Sequence, residues 1–243
     1  MASAAYKYSG KLYLIPTTLG PSNPIDVLPY SIKKIIEKID HYIVENDKTA
    51  RRSIKEVLPS KKQPALKLSL LNKFTEPASL PSFLDPCKEG VDVGLLSEAG
   101  CPGVADPGAE VVKLAHEMGI QVVPLVGPSS ILLAMMGSGM NGQSFTFHGY
   151  LPIDKKERKQ ELKNLERISL ERNQAQIFIE TPYRNNQLLE DMTSILHPNT
   201  SVCVACDLTL PSEYILTQTV GSWRKTKIDL HKRPTIFVLQ KEA

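Results

Sequence analysis

Residues 93–108 read VGLLSEAGCPGVADPG. Val93 to Leu96 is an apolar strand that ends at Ser97, and the loop after it holds three glycines and two prolines in twelve residues. A helical pattern starts at Ala109. Strand, loop and helix in this order form the unit of a parallel α/β sheet, and loops at the carboxyl ends of such strands are where ligands bind. Glycine lets a ligand approach the backbone, and proline holds that approach rigid. The stretch is read as a binding loop rather than a connection.

The flanking sequence repeats the rhythm. KLYLIP (11–16), HYIVE (41–45), LKLSL (66–70) and IQVVPLV (120–126) are short apolar strands. Between them, Ile32, Ile35, Ile36 and Ile39 share one face of a helix. Residues 51–58 are helical up to Pro59, and residues 77–89 are read as helical despite their prolines. Val111, Val112, Ala115 and Met118 form another stripe, with Gly119 placed to cap it. Such alternation calls for a mainly parallel sheet with helices on both faces. After about residue 148 the pattern changes to a charged helix over 154–170, a strand at 176–180, a helix over 185–196, and the strands SVCVAC, EYILTQTV and PTIFVLQ. The expected architecture is α/β with two domains, 1–148 built on a mainly parallel sheet and 149–243 on a mixed one.

With 243 residues and a net charge of +3, the chain is long enough for two cores and too weakly basic to indicate nucleic acid by charge alone. Its amino terminus, MASAAYKYSGKLYLIP, has no basic stretch followed by an apolar core, so no secretory leader is expected. Residues 118–153 carry no charge, yet prolines, glycines, Asn141 and Gln143 interrupt them. They are read as buried core and pocket wall, not as a membrane span. Cys203 and Cys206 make a lone CxxC inside an apolar strand, without a second pair at zinc spacing. Buried thiols in a reducing cytoplasm are expected, and no metal site. Gly137, Gly139 and Gly142 spell GxGxxG, but behind a helix and before a strand, the wrong context for dinucleotide binding. No P-loop, HExxH or GxSxG motif is present.

Four segments remain: 15–21, 97–108, 124–130 and 179–185. Each follows an apolar strand and mixes glycine or proline with hydroxyl residues. Together they suggest a shared lining of backbone amides and hydroxyls, suited to a neutral or zwitterionic ligand better than to a polyphosphate. Their order resembles the tetrapyrrole methylase superfamily of S-adenosylmethionine-dependent methyltransferases, in particular its ribosomal RNA branch. The family pattern S-D-A-G-x-P-x-x-x-D-P-G matches Ser97 to Gly108 except for Glu98. Pro16 to Gly20, Val123 to Ser129, Gly149 to Pro152 and Glu180 to Arg184 match further segments.

The resemblance implies two α/β domains with the cofactor S-adenosyl-L-methionine in a cleft between them, and a homodimer. Carried over by position, the cofactor would meet Pro16 and Leu19, then Gly100, Cys101 and Val104, then Ser129 and Ser130. Thr181, Leu208 and Pro234 would complete the pocket. The branch implies ribose 2′-O-methylation of 16S rRNA. Two departures fall on the substrate side. The family's E-D-T-R is here Glu45, Asn46, Asp47, Lys48, Thr49, with the arginine displaced to Arg51 or Arg52. Its A-R-E-L-T is Ala205, Cys206, Asp207, Leu208, Thr209.

A ribose hydroxyl is a poor nucleophile and gains from a nearby base. Glu45 and Asp106, each at a strand-end loop, are the candidate catalytic groups. Alternatively, Asp106 caps the next helix and Glu45 pairs with Arg51 or Arg52. Arg51, Arg52, Tyr183 and Arg184 are candidate substrate contacts. Basic clusters at 51–62, 155–159 and 225–233 would face RNA. Methylation of a small tetrapyrrole precursor, or cofactor binding without catalysis, are the other readings of the same residues.

Overall fold

The computed structural model describes residues 6–242. The first five residues, part of the stretch in which no secretory leader is expected, lie outside them. The chain divides into two compact units, Met1–Ser129 and Ser130–Ala243.

The first unit holds strands β1 (Lys11–Ile15), β2 (His41–Val44), β3 (Lys67–Leu70), β4 (Val93–Leu96) and β5 (Gln121–Pro124), all parallel, in the order β3-β2-β4-β1-β5. Its helices are α1 (Pro24–Val27), α2 (Tyr30–Lys38), α3 (Asp47–Val57), α4 (Asp85–Lys88) and α5 (Ala109–Met118). β4 is the central strand and is buried at every position, as expected of a strand covered on both faces. Leu95 joins one core with Leu12, Ile43, Val111 and Ala115. Leu96 joins another with Ile15, Tyr42, Ile32, Ile36 and Ile54. Each such side chain contributes roughly 1.5–3 kcal/mol by leaving water.

Local signals set the helix ends. Asn46 caps α3 by accepting from the Lys48 and Thr49 N–H groups, and Gly119 ends α5 at φ +76°. Residues 77–89 differ from the expected helix. They form a 3-10 segment, Pro77–Leu84, followed by α4. Pro81 inside the segment and Pro86 after it supply no N–H, which prevents a continuous α-helical ladder.

The second unit contains α6 (Ser130–Ser138), β6 (Phe145–Tyr150), α7 (Lys155–Arg172), β7 (Ala175–Ile179), α8 (Asn185–Ile195), β8 (Ser201–Cys206), β9 (Tyr214–Thr219), α9 (Val220–Trp223) and β10 (Thr235–Gln240). The sheet order is β6-β7-β10-β8-β9; β6 and β7 are parallel and the other pairs antiparallel. Its core joins Leu162 and Leu165 of α7, Leu188 and Met192 of α8, Trp223 and the stacked Phe178–Phe237 pair. α6 packs on β8, β9 and β10, and its last carbonyl, of Ser138, accepts from the Thr217 hydroxyl at 2.8 Å. The second unit therefore begins at Ser130, ahead of the change of pattern near residue 148.

Cys203 and Cys206 lie buried on β8 as free thiols. Their odd spacing sends them to opposite faces of the strand. Gly139 and Gly142 sit in the open turn before β6. The charge-free segment is only partly core. Val126, Met136, Tyr150 and Ile153 are exposed: Met136 lies on α6, Tyr150 ends the edge strand β6, and Val126 and Ile153 stand in the loops after β5 and β6. No helix among the described residues is long and apolar enough to cross a membrane.

Candidate active site

Three strand-end loops of the first unit are tied together at the carboxyl ends of β1, β4 and β5. The Thr17 N–H donates to the Gly100 carbonyl at 3.0 Å. The Thr17 hydroxyl reaches the Ser97 carbonyl at 3.3 Å, and the Ser97 hydroxyl donates to the Gly100 carbonyl at 2.6 Å. The Cys101 thiol donates to the Pro128 carbonyl at 3.4 Å. Gly100 has φ +73°, and a Cβ there would lie 3.0 Å from Leu19 and 3.2 Å from the Pro128 carbonyl. A Cβ on Gly127 would lie 2.2 Å from Pro16. Both glycines are thus required by close backbone approach. Pro16, Leu19, Gly100, Cys101 and Ser129 all belong to this assembly, and Val104 stands exposed on its outer part.

Beside these loops, the ends of β2 and β4 bring Glu45 and Asp106 together. Their side chains are hydrogen-bonded to one another. Burial first, and the charge of Asp106 second, push Glu45 up to about 7, against a backbone N–H from Glu98 that favours its charged form. Burial also raises Asp106, which accepts from Glu45 and from the Gly108 N–H. Asp106 is not the helix cap: that position is Gly108, which makes no side-chain cap bond. Nor does Glu45 pair with an arginine. Arg51 binds Asp47 at 2.8 Å and the Gln63 carbonyl at 2.7 Å, and Arg52 lies 4.0 Å from Glu56. The arrangement can hold or release a proton near neutral pH.

Thr49 and Glu98 complete the cluster: the Thr49 hydroxyl donates to Glu98 Oε1 at 2.5 Å. Sequence reasoning registered both only as departures from a pattern. The available signal was that β2 and β4 are neighbours in a parallel sheet, so that residues just past their ends meet.

In the second unit, the loops after β7 and β8 and before β10 meet at one end of the sheet. Asp207 N–H donates to the Pro234 carbonyl at 2.9 Å, and Lys232 N–H to the Pro182 carbonyl at 3.0 Å. Thr181 and Pro234 are accessible here, whereas Leu208 is buried. Arg184 is held by buried Glu180 at 2.6 Å. Tyr183 is exposed and packs edge-on against His231. Ser130 is the first residue of α6. Among the described residues, no group of three or more His, Cys, Asp or Glu is arranged to hold a metal.

The expected basic clusters are partly internal. Arg158 is buried, bound to Asp191 at 2.6 Å and to the Ile153 carbonyl at 2.7 Å. Lys61 pairs with Asp40 and Arg233 with Asp207, both at 2.8 Å. A charge run on a helix does not reveal which member turns inward.

The lining of the first-unit loops consists of backbone groups, hydroxyls, a thiol and proline rings. It fits a zwitterionic ligand with an apolar part, and holds no lysine or arginine for a polyphosphate. The profile of the tetrapyrrole (corrin/porphyrin) methylases matches residues 11–223. The ribosomal RNA small subunit methyltransferase I of Vibrio cholerae serotype O1 is 30% identical over 204 residues, 84% of this chain and 67% of the relative. The crystal structure of the methyltransferase CobJ has the same fold, with TM-score 0.62 and 17% identity over 96% of this chain and 95% of that one. A uroporphyrin-III C-methyltransferase of Thermus thermophilus, complexed with S-adenosyl homocysteine, aligns with TM-score 0.54 and 15% identity over 96% and 98%.

Proposed function

This chain belongs to the tetrapyrrole (corrin/porphyrin) methylase family, and from that premise we propose that it methylates small-subunit ribosomal RNA at a ribose 2′-oxygen of 16S rRNA. It is a methyltransferase dependent on S-adenosylmethionine. The cofactor supplies a methyl group on a sulfonium, already activated for displacement. The protein's part is to position, exclude water and manage a proton.

For the cofactor we assign Pro16, Leu19, Gly100, Cys101, Val104 and Ser129 of the first unit. Ser130, Thr181, Leu208 and Pro234 of the second unit are assigned on the family pattern. The observation that favours an oxygen target is the Glu45–Asp106 pair. A hydroxyl must lose its proton as it is methylated, and a carboxyl raised towards neutrality accepts one at working pH. Glu45 takes that role, with Asp106 beside it as hydrogen-bond partner. Arg51, Arg52, Tyr183 and Arg184 are assigned to the RNA side; Arg52 and Tyr183 are the exposed members.

We further infer a homodimer, supported by the exposed apolar side chains Met136, Tyr150 and Ile153, and a cytoplasmic location, where the four free thiols stay reduced. The test is transfer of radiolabelled methyl groups to small subunits from a strain that lacks this modification. Label at a ribose 2′-oxygen is the expected result. No transfer to such subunits or to naked 16S rRNA would exclude the substrate.

A further inference from the structure

Phe74 is 80% exposed, the highest value among the large apolar side chains described. It does not sit on a loose segment. The Phe74 N–H donates to Asn72 Oδ1 at 2.9 Å, and the Asn72 N–H to the Thr75 hydroxyl at 2.9 Å. That hydroxyl in turn donates to the Leu70 carbonyl at 3.0 Å. The Leu71 N–H donates to the Val44 carbonyl at 2.8 Å, which fixes the turn beside Glu45. A cavity of about 320 Å³ separates the turn from the opening loop. Leu71, Asn72, Thr75 and Pro77 line one side, Asp106 and Pro107 the other. The Lys73 ammonium lies 4.9 Å from the Phe74 ring centre. Lys73 and Lys48, at the start of α3, are both exposed, and among the described residues neither enters an ion pair.

A rigidly presented aromatic face with an unpaired cation beside it, and a second at the start of the helix that follows the neighbouring strand β2, is the chemistry that binds an unstacked base and its phosphates. A protein partner is the poorer fit, because charged groups are depleted from the centres of such interfaces. Duplex RNA is also a poorer fit, since its bases are stacked and present no free face. We propose that Phe74 is a stacking platform for one unpaired base of single-stranded RNA, with Lys73 and Lys48 meeting the adjoining phosphates. The base then rests at the mouth of the cavity that reaches Asp106, at the same carboxyl end of the sheet as the carboxyl pair. The inference rests on the RNA reading above and adds where the strand lies and what holds it.

The test uses the full chain, a short fluorescein-labelled single-stranded RNA read by anisotropy, and calorimetry with S-adenosylmethionine. Phe74→Ala should weaken RNA binding by roughly 5- to 150-fold. Phe74→Trp should restore it, and cofactor affinity should not change in either variant. KM for RNA should rise with kcat retained at saturation. Lys73→Gln should lower the slope of log affinity against log salt by about 1. Wild-type affinity in Phe74→Ala overturns the platform, as does full restoration by Phe74→Leu, which keeps apolar bulk without a ring. A changed oligomeric state with unchanged RNA affinity also overturns it, by assigning the face to a second copy. If the wild-type chain binds the cofactor but neither binds nor methylates RNA, the RNA reading itself falls, and the platform with it.

Discussion

Gly127→Ala is the sharpest test of how the loops proposed for the cofactor are built. An alanine Cβ at that position would lie 2.2 Å from Pro16 Cγ and 2.3 Å from Pro16 Cβ. Ordinary carbon contacts lie at about 3.5–4.0 Å, so one of the two loops must move by more than about 1 Å. Pro16 has no rotamer to adopt, and it follows Ile15, which is fully buried. The 127–129 segment therefore moves, and with it Pro128, whose carbonyl holds Cys101. Overpacking of this kind costs about 1–3 kcal/mol. For a chain of this size, that lowers Tm by about 2–12 °C. A displacement of about 1 Å at a positioning loop reduces turnover by about 100-fold. Gly142→Ala is the control: its Cβ meets nothing within 4 Å and its φ is not positive, so Tm should hold or rise slightly. The assays are thermal unfolding, calorimetric titration with S-adenosylmethionine, and methyl transfer. An unchanged Tm in Gly127→Ala refutes the packing argument. A lowered Tm with wild-type cofactor affinity refutes the assignment of this loop to the cofactor.

Glu45 has a folded-state value near 7 against an ordinary 4.5, so its contribution to stability is fully present below about pH 4.5 and lost as pH rises through 7. Glu45→Gln should accordingly be more stable relative to wild type at pH 8 than at pH 5 by thermal unfolding, while losing the rise in kcat/KM through neutrality; a flat wild-type profile there would remove Glu45 as the base. Asp191→Asn leaves Arg158 buried without its charge partner and should cost about 3–5 kcal/mol in denaturant unfolding, whereas a loss under 1 kcal/mol would mean that the Pro152 and Ile153 carbonyls suffice. Cys101, the only partly exposed thiol of the four, should react with a thiol reagent before Cys87, Cys203 and Cys206, and S-adenosylmethionine should slow it. Labelling of a β8 thiol first, by mass spectrometry, would contradict the burial described for that strand.

The periodic parts of the fold were legible because each signal is local. Gly119 ends α5 in the left-handed conformation that only its position in the pattern suggests, and Asp154, at the start of the charged run, caps α7. Glu45 and Asp106 were each visible as carboxylates at strand ends, but their pairing depends on strand order. β2 and β4 are neighbours although β3 lies between them in sequence, and no local pattern encodes that. The inward turn of Arg158 is equally non-local, since Asp191 comes from another helix. The 77–88 segment shows the opposite case. Its apolar spacing is helical enough to bury Leu80, Leu84 and Cys87, yet the missing proline donors convert most of it to 3-10 geometry. The start of the second unit was hidden because α6 is apolar on every side, so its sequence does not say which sheet it joins.

The departures from the family pattern take on a different weight once their positions are known. Thr49 and Glu98 lie in different motifs, and each taken alone reads as erosion of a site. In the structure they bond to one another, and the backbone N–H of Glu98 donates to Glu45. The Glu98 carboxylate meets a hydroxyl in the first turn of α3. Two changes that meet in one hydrogen bond preserve a connection between the β2 and β4 loops rather than remove it. The first-unit loops proposed for the cofactor meanwhile are held by bonds from Thr17, Ser97 and Cys101 to backbone carbonyls, and by Gly127 closing on Pro16, none of which involves residue 98 as a side chain. A pattern can therefore vary at that position without loosening the loops, while residue 98 stays in contact with the Glu45–Asp106 pair. On this argument the altered segment at 45–52 marks a change in how Glu45, the proposed proton acceptor, is held, and a catalytically silent chain is the less economical reading of it.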